Sequence, residues 1–158
     1  MTLFAPLFVP EELCDATSDA AWLDAMLQAE RSLANAEGIV GVIPAPAAGA
    51  ISDCCRAELF SIDELAAQGR ASGTPVEPLV RALRAAVGQP FSDYVHWGAT
   101  SQDILDTAAM IVARRALGLI FDDVERAAAA CAGHAREHVS TPMIGRTLLQ
   151  HAVPTTFG

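Results

Sequence analysis

The segment His96-Trp97-Gly98-Ala99-Thr100-Ser101-Gln102-Asp103 puts an imidazole and two hydroxyls where a loop turns into a helix. Thr100 and Asp103 have the spacing of a capping box, and an apolar run follows from Ile104. The first amides of such a helix have no intrahelical acceptor, and the helix dipole makes that end attractive to anions. His96, Thr100 and Ser101 beside free amides therefore suit a substrate carboxylate. The same residues fit an ordinary N-cap with a structural histidine, and spacing alone leaves both readings open.

A second polar cluster, Arg146-Thr147-Leu148-Leu149-Gln150-His151, lies nearer the C-terminal end. Imidazole is the side chain whose ordinary charge change falls near neutral pH, so a histidine such as His96 or His151 can serve as acid, base or carboxylate partner. His134 and His138 are four residues apart and could pair on a metal, but no HExxH pattern or obvious third ligand accompanies them. They read as solvated histidines that favour a helix C-terminus, and no metal or cofactor is expected. Asp103 and Asp106 suit the helix start. Trp22 and Trp97 suit packing, although Trp97 could wall a site.

The elements that must position these residues read as helical throughout. Residues 3–9 form an apolar, proline-flanked arm, expected to be extended, and 10–16 a short turn. Ser18 with Asp19 caps a helix that Gly38 and Gly41 end. Pro44 and Pro46 open another helix, to about Leu59. Ser61-Ile62-Asp63-Glu64 is a capping box, and Thr74-Pro75-Val76-Glu77 is a stronger start whose helix Gly88 and Pro90 stop. From Thr100 to about His138 the pattern is continuous, and one helix of that length would be about 55 Å long. Leu105, Ala109, Val112, Ala116, Val124 and Cys131 make one apolar stripe, and Ile104, Ala108, Ile111 and Leu117 broaden it. A helix apolar over that much girth needs more neighbours than the short preceding helices supply. Pro154-Thr155-Thr156-Phe157-Gly158 reads as the start of a further helix. No run alternates with period two for long enough to argue a sheet.

The 158 residues are 52% hydrophobic, with mean hydropathy +0.31. No apolar run suffices to span a membrane; the best candidate, Ala108 to Phe121, is broken by Arg114 and Arg115. The N-terminal MTLFAPLFVPEEL has no basic region before its apolar residues and does not read as a signal peptide, so the cytoplasm is the default compartment. A formal net charge of -9 argues against nucleic acid or an anionic membrane as partner. An anionic substrate would need a local positive pocket built from Arg146, histidines and helix N-termini. Cys14, Cys54, Cys55 and Cys131 form no CxxC pair and read as reduced thiols.

The run HWGATSQDILDTA and the run GRTLLQHAVPTTFG, in that order and spacing, resemble motifs of the fumarase/aspartase superfamily. The pair is similar to its adenylosuccinate lyase branch and most similar to the 3-carboxy-cis,cis-muconate cycloisomerases of aromatic catabolism. The resemblance implies an all-α fold: a small helical N-terminal domain over 1–99, then the first long helix of the superfamily's central bundle over 100–158, truncated. It implies a homotetramer acting on a small polycarboxylate, with the two motif regions from different subunits lining one active site. By that analogy Thr100, Ser101 and Thr147 bind substrate carboxylates, and Gln150 and His151 hold the reacting end. Arg146 either joins them or braces its loop. His96 and His151 are the expected catalytic residues. The mobile serine-bearing loop that carries the family's usual base has no match here, so the 158-residue chain alone is expected to be inactive.

Leu148 departs from the adenylosuccinate lyase pattern, where a histidine at this place is regarded as the general acid. Leucine cannot donate a proton. Either the general-acid role moves to another group or the leaving group needs none, and the second suits lactonisation of a muconate, because its reverse expels a weakly basic carboxylate rather than an amine. Adenylosuccinate-type release of fumarate is the nearest rival. A non-catalytic helical assembly module, with both motifs serving packing, is a rival of another class.

Overall fold

A computed structural model describes residues 5–158. The described chain is helical apart from one hairpin. The helices are α1 (Ala5–Phe8), α2 (Glu11–Ala16), α3 (Asp19–Val40), α4 (Ala45–Cys54), α5 (Ile62–Ser72), α6 (Val76–Val87) and α7 (Ser101–Glu137). Single 3-10 turns stand at Ala57–Leu59 and Ser92–Tyr94, and the hairpin is β1 (Pro142–Thr147) with β2 (Gln150–Thr156). No helix among the described residues is long and apolar enough to cross a membrane.

Hydroxyl side chains meet first-turn amides at the starts of α3, α5 and α6. Ser18 is extended, and its Oγ accepts from the Ala21 amide at 3.2 Å. Ser61 Oγ accepts from the Glu64 amide at 3.3 Å, and Thr74 Oγ1 from the Val76 amide at 3.2 Å. Replacing Ser18 with alanine is expected to cost about 1 kcal/mol, read as a lower urea midpoint with unchanged slope.

Several expectations are corrected. Residues 5–8 of the supposed extended arm are the helical turn α1, while residues 3 and 4 lie outside the described residues; the supposed turn at 10–16 contains α2. Gly38 does not end α3, which runs on to Val40 before Gly41 turns left-handed at φ 77°. Gly38 serves close approach instead: a Cβ there would lie 2.7 Å from the Ala48 side chain on α4.

The chain forms two compact units, one ending at Ala116 and the other Leu117–Gly158, so the division falls within α7. The first unit holds the core. Leu23, Met26 and Leu27 of α3 join Ile51 of α4, Leu79 and Leu83 of α6, Val95, and Ile104, Ala108 and Val112 of α7. The fully buried line of α7 is thus 104, 108, 112 and 116, with Leu105 and Ile111 packed at its margin. The buried line takes Val112 and Ala116 from the expected stripe and Ile104 and Ala108 from the set that broadens it, because a continuous i, i+4 row suits a single flank of short helices. Past Ala116 the apolar residues Leu117, Ile120, Phe121 and Val124 are exposed.

The second unit contains the hairpin that no alternation foretold. Its strands pair antiparallel, Ile144 opposite Pro154, Arg146 opposite His151 and Thr147 opposite Gln150. A bulge sits between Ile144 and Arg146, where Gly145 is required: a Cβ would lie 2.9 Å from the Val153 carbonyl oxygen. Pro154, expected to open a helix, lies inside β2. A two-stranded ribbon consists of edges, which tolerate proline.

Candidate functional site

The loop before α7 follows from its backbone. His96 adopts φ 60° and Gly98 φ 69°. Histidine in the left-handed region is uncommon and costs on the order of 1 kcal/mol, so something must hold it. The holder is Glu30 of α3, whose Oε1 lies 2.6 Å from His96 Nδ1. The glutamate side chain is 1% exposed and the histidine side chain 12%. The other carboxylate oxygen, Oε2, is buried without a hydrogen-bond partner among the described residues.

At the start of α7 the Thr100 amide donates to Asp103 Oδ2 at 2.9 Å, which is the reach-back half of the expected capping box. The Asp103 amide donates to the Thr100 carbonyl at 3.0 Å, and Thr107 Oγ1 to the Asp103 carbonyl at 2.7 Å. Asp103 therefore serves the helix. The hydroxyls of Thr100 and Ser101 make no hydrogen bond among the described residues and stay available to a ligand.

His96 and Ser101 line one open cleft together with Glu77, Val80, Arg81 and Arg84 of α6. Trp97, Gly98 and Asp103 turn to a different cleft, against Ser32, Leu33 and Glu37 of α3. The cleft's two arginines are Arg81 and Arg84, which the sequence does not single out, and Glu77 in the same lining offsets one of them. Arg81 pairs with Glu77 at 3.3 Å and donates to Gln68 at 2.9 Å; Arg84 donates one bond to the Val95 carbonyl at 3.1 Å. The available signal was the Glu77, Arg81, Arg84 row at helical spacing, opposite Leu79 and Leu83. Only the tertiary fold turns that row toward His96.

Burial of Glu30 and its neighbours marks the local electrostatics. The Glu37 carboxyl is raised, first by burial and then by the Glu30 charge, with His96 opposing. Burial, then Glu30, pushes the Cys55 thiol up to about 12. The neutral thiol is thus favoured in the folded state; that contribution is intact below the ordinary thiol pKa and is lost as pH rises toward 12. Cys131 is exposed and Cys55 buried. At pH 8 a thiol reagent is expected to label Cys131 of the isolated 158-residue chain rapidly and Cys55 only on unfolding, which mass spectrometry of timed quenches reads directly.

The second motif lies in the other compact unit, on the hairpin. Arg146 and His151 are cross-strand neighbours, and Thr147 and Gln150 form the next pair. Successive residues of a strand face opposite sides, so Arg146 and His151 share one face and Thr147 and Gln150 the other. All four are exposed and make no side-chain hydrogen bond among the described residues. Leu148 and Leu149 form the turn, 84% and 98% exposed, with Leu149 at φ 61°.

At the end of α7, donor atoms of His134, Glu137 and His138 lie within 4.8 Å of one another and could hold a metal. The Phe157 ring meets His138 edge-on at 5.5 Å, and His138 Nδ1 lies 3.2 Å from Thr141 Oγ1.

A lyase family model matches residues 10–158. A nitrosuccinate lyase of Streptomyces davaonensis is 48% identical, across 99% of this chain and 34% of that protein. A 3-carboxy-cis,cis-muconate cycloisomerase of Bradyrhizobium diazoefficiens is 44% identical, across 99% of this chain and 35% of its own length. Among solved structures, the beta-carboxy-cis,cis-muconate cycloisomerase of Acinetobacter calcoaceticus superposes with TM-score 0.94 at 37% identity, over 99% of this chain and 37% of that one. The chain spans about a third of the length of the curated relatives it matches.

Proposed function

The chain belongs to this lyase family, and from that premise we propose that it forms part of a cycloisomerase that lactonises 3-carboxy-cis,cis-muconate. The observation that favours it over adenylosuccinate-type release is Leu148, exposed at the hairpin turn between Thr147 and the Gln150-His151 pair. A leucine there removes the proton donor that an amine leaving group needs. Cycloisomerisation joins a carboxylate oxygen to an alkene carbon and adds a proton to the carbon alpha to another carboxylate. Its reverse expels a carboxylate, which departs without protonation. In this reading Thr100, Ser101, Arg146 and Thr147 hold the substrate carboxylates. Gln150 and His151 flank the reacting carbons, and His96 acts beside Ser101 in the cleft. Donors preorganised around the substrate stabilise the enolate-like intermediate.

The whole protein in this reading is a cytoplasmic homotetramer that needs no cofactor and engages neither nucleic acid nor membrane. Residues 1–99 form its N-terminal domain and 100–158 begin its central bundle. The exposed apolar residues of α7 after Ala116 supply the bundle contacts between copies.

A second reading, elimination from a nitrosuccinate, is favoured by the 48% identity to the nitrosuccinate lyase. Nitrite is also a weak base, so Leu148 suits it equally. An ultraviolet assay of the whole protein on 3-carboxy-cis,cis-muconate, nitrosuccinate and adenylosuccinate in parallel separates the readings. Turnover of the muconate alone is expected. Turnover of nitrosuccinate alone establishes the second reading, and cleavage of adenylosuccinate would overturn the argument from Leu148.

A further inference from the structure

Glu30 is the one buried charged side chain among the described residues, and it meets the loop that carries the first motif. It sits in an otherwise apolar row of α3, beside Met26, Leu27, Ala29 and Ala34. A carboxylate in such a place is costly unless its oxygens are matched. Here one oxygen meets His96 Nδ1 at 2.6 Å, and the other has no partner among the described residues. A pair kept only to stabilise the fold would be better replaced by apolar side chains of similar volume. The arrangement fits a different purpose. An acceptor at Nδ1 sets which ring nitrogen carries the proton and orients the imidazole. With Nδ1 taken, Nε2 is the nitrogen left for the cleft that His96 lines with Ser101, Arg81 and Arg84. Because His96 stands at φ 60°, its backbone does not hold the ring cheaply, and the glutamate supplies the restraint.

We infer that Glu30 is a positioning residue: it accepts the Nδ1 proton of His96, holds the imidazole against a strained backbone and leaves Nε2 to meet the substrate. The inference rests on the reading of His96 as part of the reaction site. It concerns a residue of α3 that never touches the substrate and works through the ring alone.

The test is Glu30→Gln in the whole protein, beside His96→Asn, with kinetics on 3-carboxy-cis,cis-muconate and a thermal melt of each. Glutamine keeps the shape but replaces a charged group that only accepts with a neutral amide that can also donate, so a proton on Nδ1 is no longer enforced. The expected result for Glu30→Gln is a kcat lower by about 10- to 100-fold, with KM changed less than kcat and assembly intact. Wild-type activity in Glu30→Gln, with His96→Asn inactive, overturns the inference and spares the site. Wild-type activity in both variants overturns the role of His96 itself. If Glu30→Gln fails to fold, nitrogen-15 histidine spectra of the wild-type protein decide. A proton on His96 Nδ1 with a strongly hydrogen-bonded shift supports the inference, and an unprotonated Nδ1 overturns it.

Discussion

Replacing His151 with asparagine in the whole protein is expected to lower kcat on 3-carboxy-cis,cis-muconate by about 10²- to 10⁴-fold, the usual contribution of a positioned acid or base. The same change is expected to move stability by less than about 0.5 kcal/mol. The two halves come from different observations. His151 lies on an exposed ribbon, opposite Arg146, with no intramolecular side-chain bond among the described residues to lose. A residue with no structural debt is free to meet a ligand from outside this chain's own core, which is the role the proposed function gives it. Steady-state kinetics and a melting curve on one preparation read both halves. Unchanged kcat would remove His151 from the chemistry, and a collapsed melt would give it a packing role instead.

Leu83→Ala is expected to cost about 2–5 kcal/mol, a large share of the roughly 5–15 kcal/mol that holds a domain together. Leu83 is fully buried on α6, in the cluster that joins α3, α4 and α7. The void cannot close readily, because Leu83 sits inside a core built from several helices. For a chain of this size each kcal/mol lowers the melting temperature by about 2–4 °C. The consequence reaches the cleft, since α6 carries Arg81 and Arg84. A calorimetric shift near zero would contradict this account of the core.

The parts of the fold that were legible share one property: a local signal agreed with the tertiary demand. Ser18, Ser61 and Thr74 each accept the amide that their position in the sequence announces. The hairpin was illegible because its residues are almost all exposed, so neither strand shows alternation. Its turn is Leu148-Leu149, without the asparagine or glycine that usually marks a tight turn. Gly38 looked like a helix stop because close packing and helix termination call for the same residue. At the site, His96 and Ser101 were legible from residue type, and the cleft brings them together. Glu30 was not, since a glutamate within an apolar helix stripe carries no sign of the histidine it will meet far along the chain. Arg84 was hidden for the same reason: its role depends on which way α6 faces.

In the proposed enzyme the two motifs make one catalytic site from different copies of the chain. The most direct measurement mixes whole-protein His96→Asn with whole-protein His151→Asn, dissociates and reassociates them together, and assays the mixture on 3-carboxy-cis,cis-muconate. Each variant alone should be inactive, while the mixed assembly should recover turnover, because some sites would then receive an intact His96 from one copy and an intact His151 from another. A mixed assembly of normal size that stays inactive would contradict the shared site. Variants that are each fully active would contradict the assignment of both histidines.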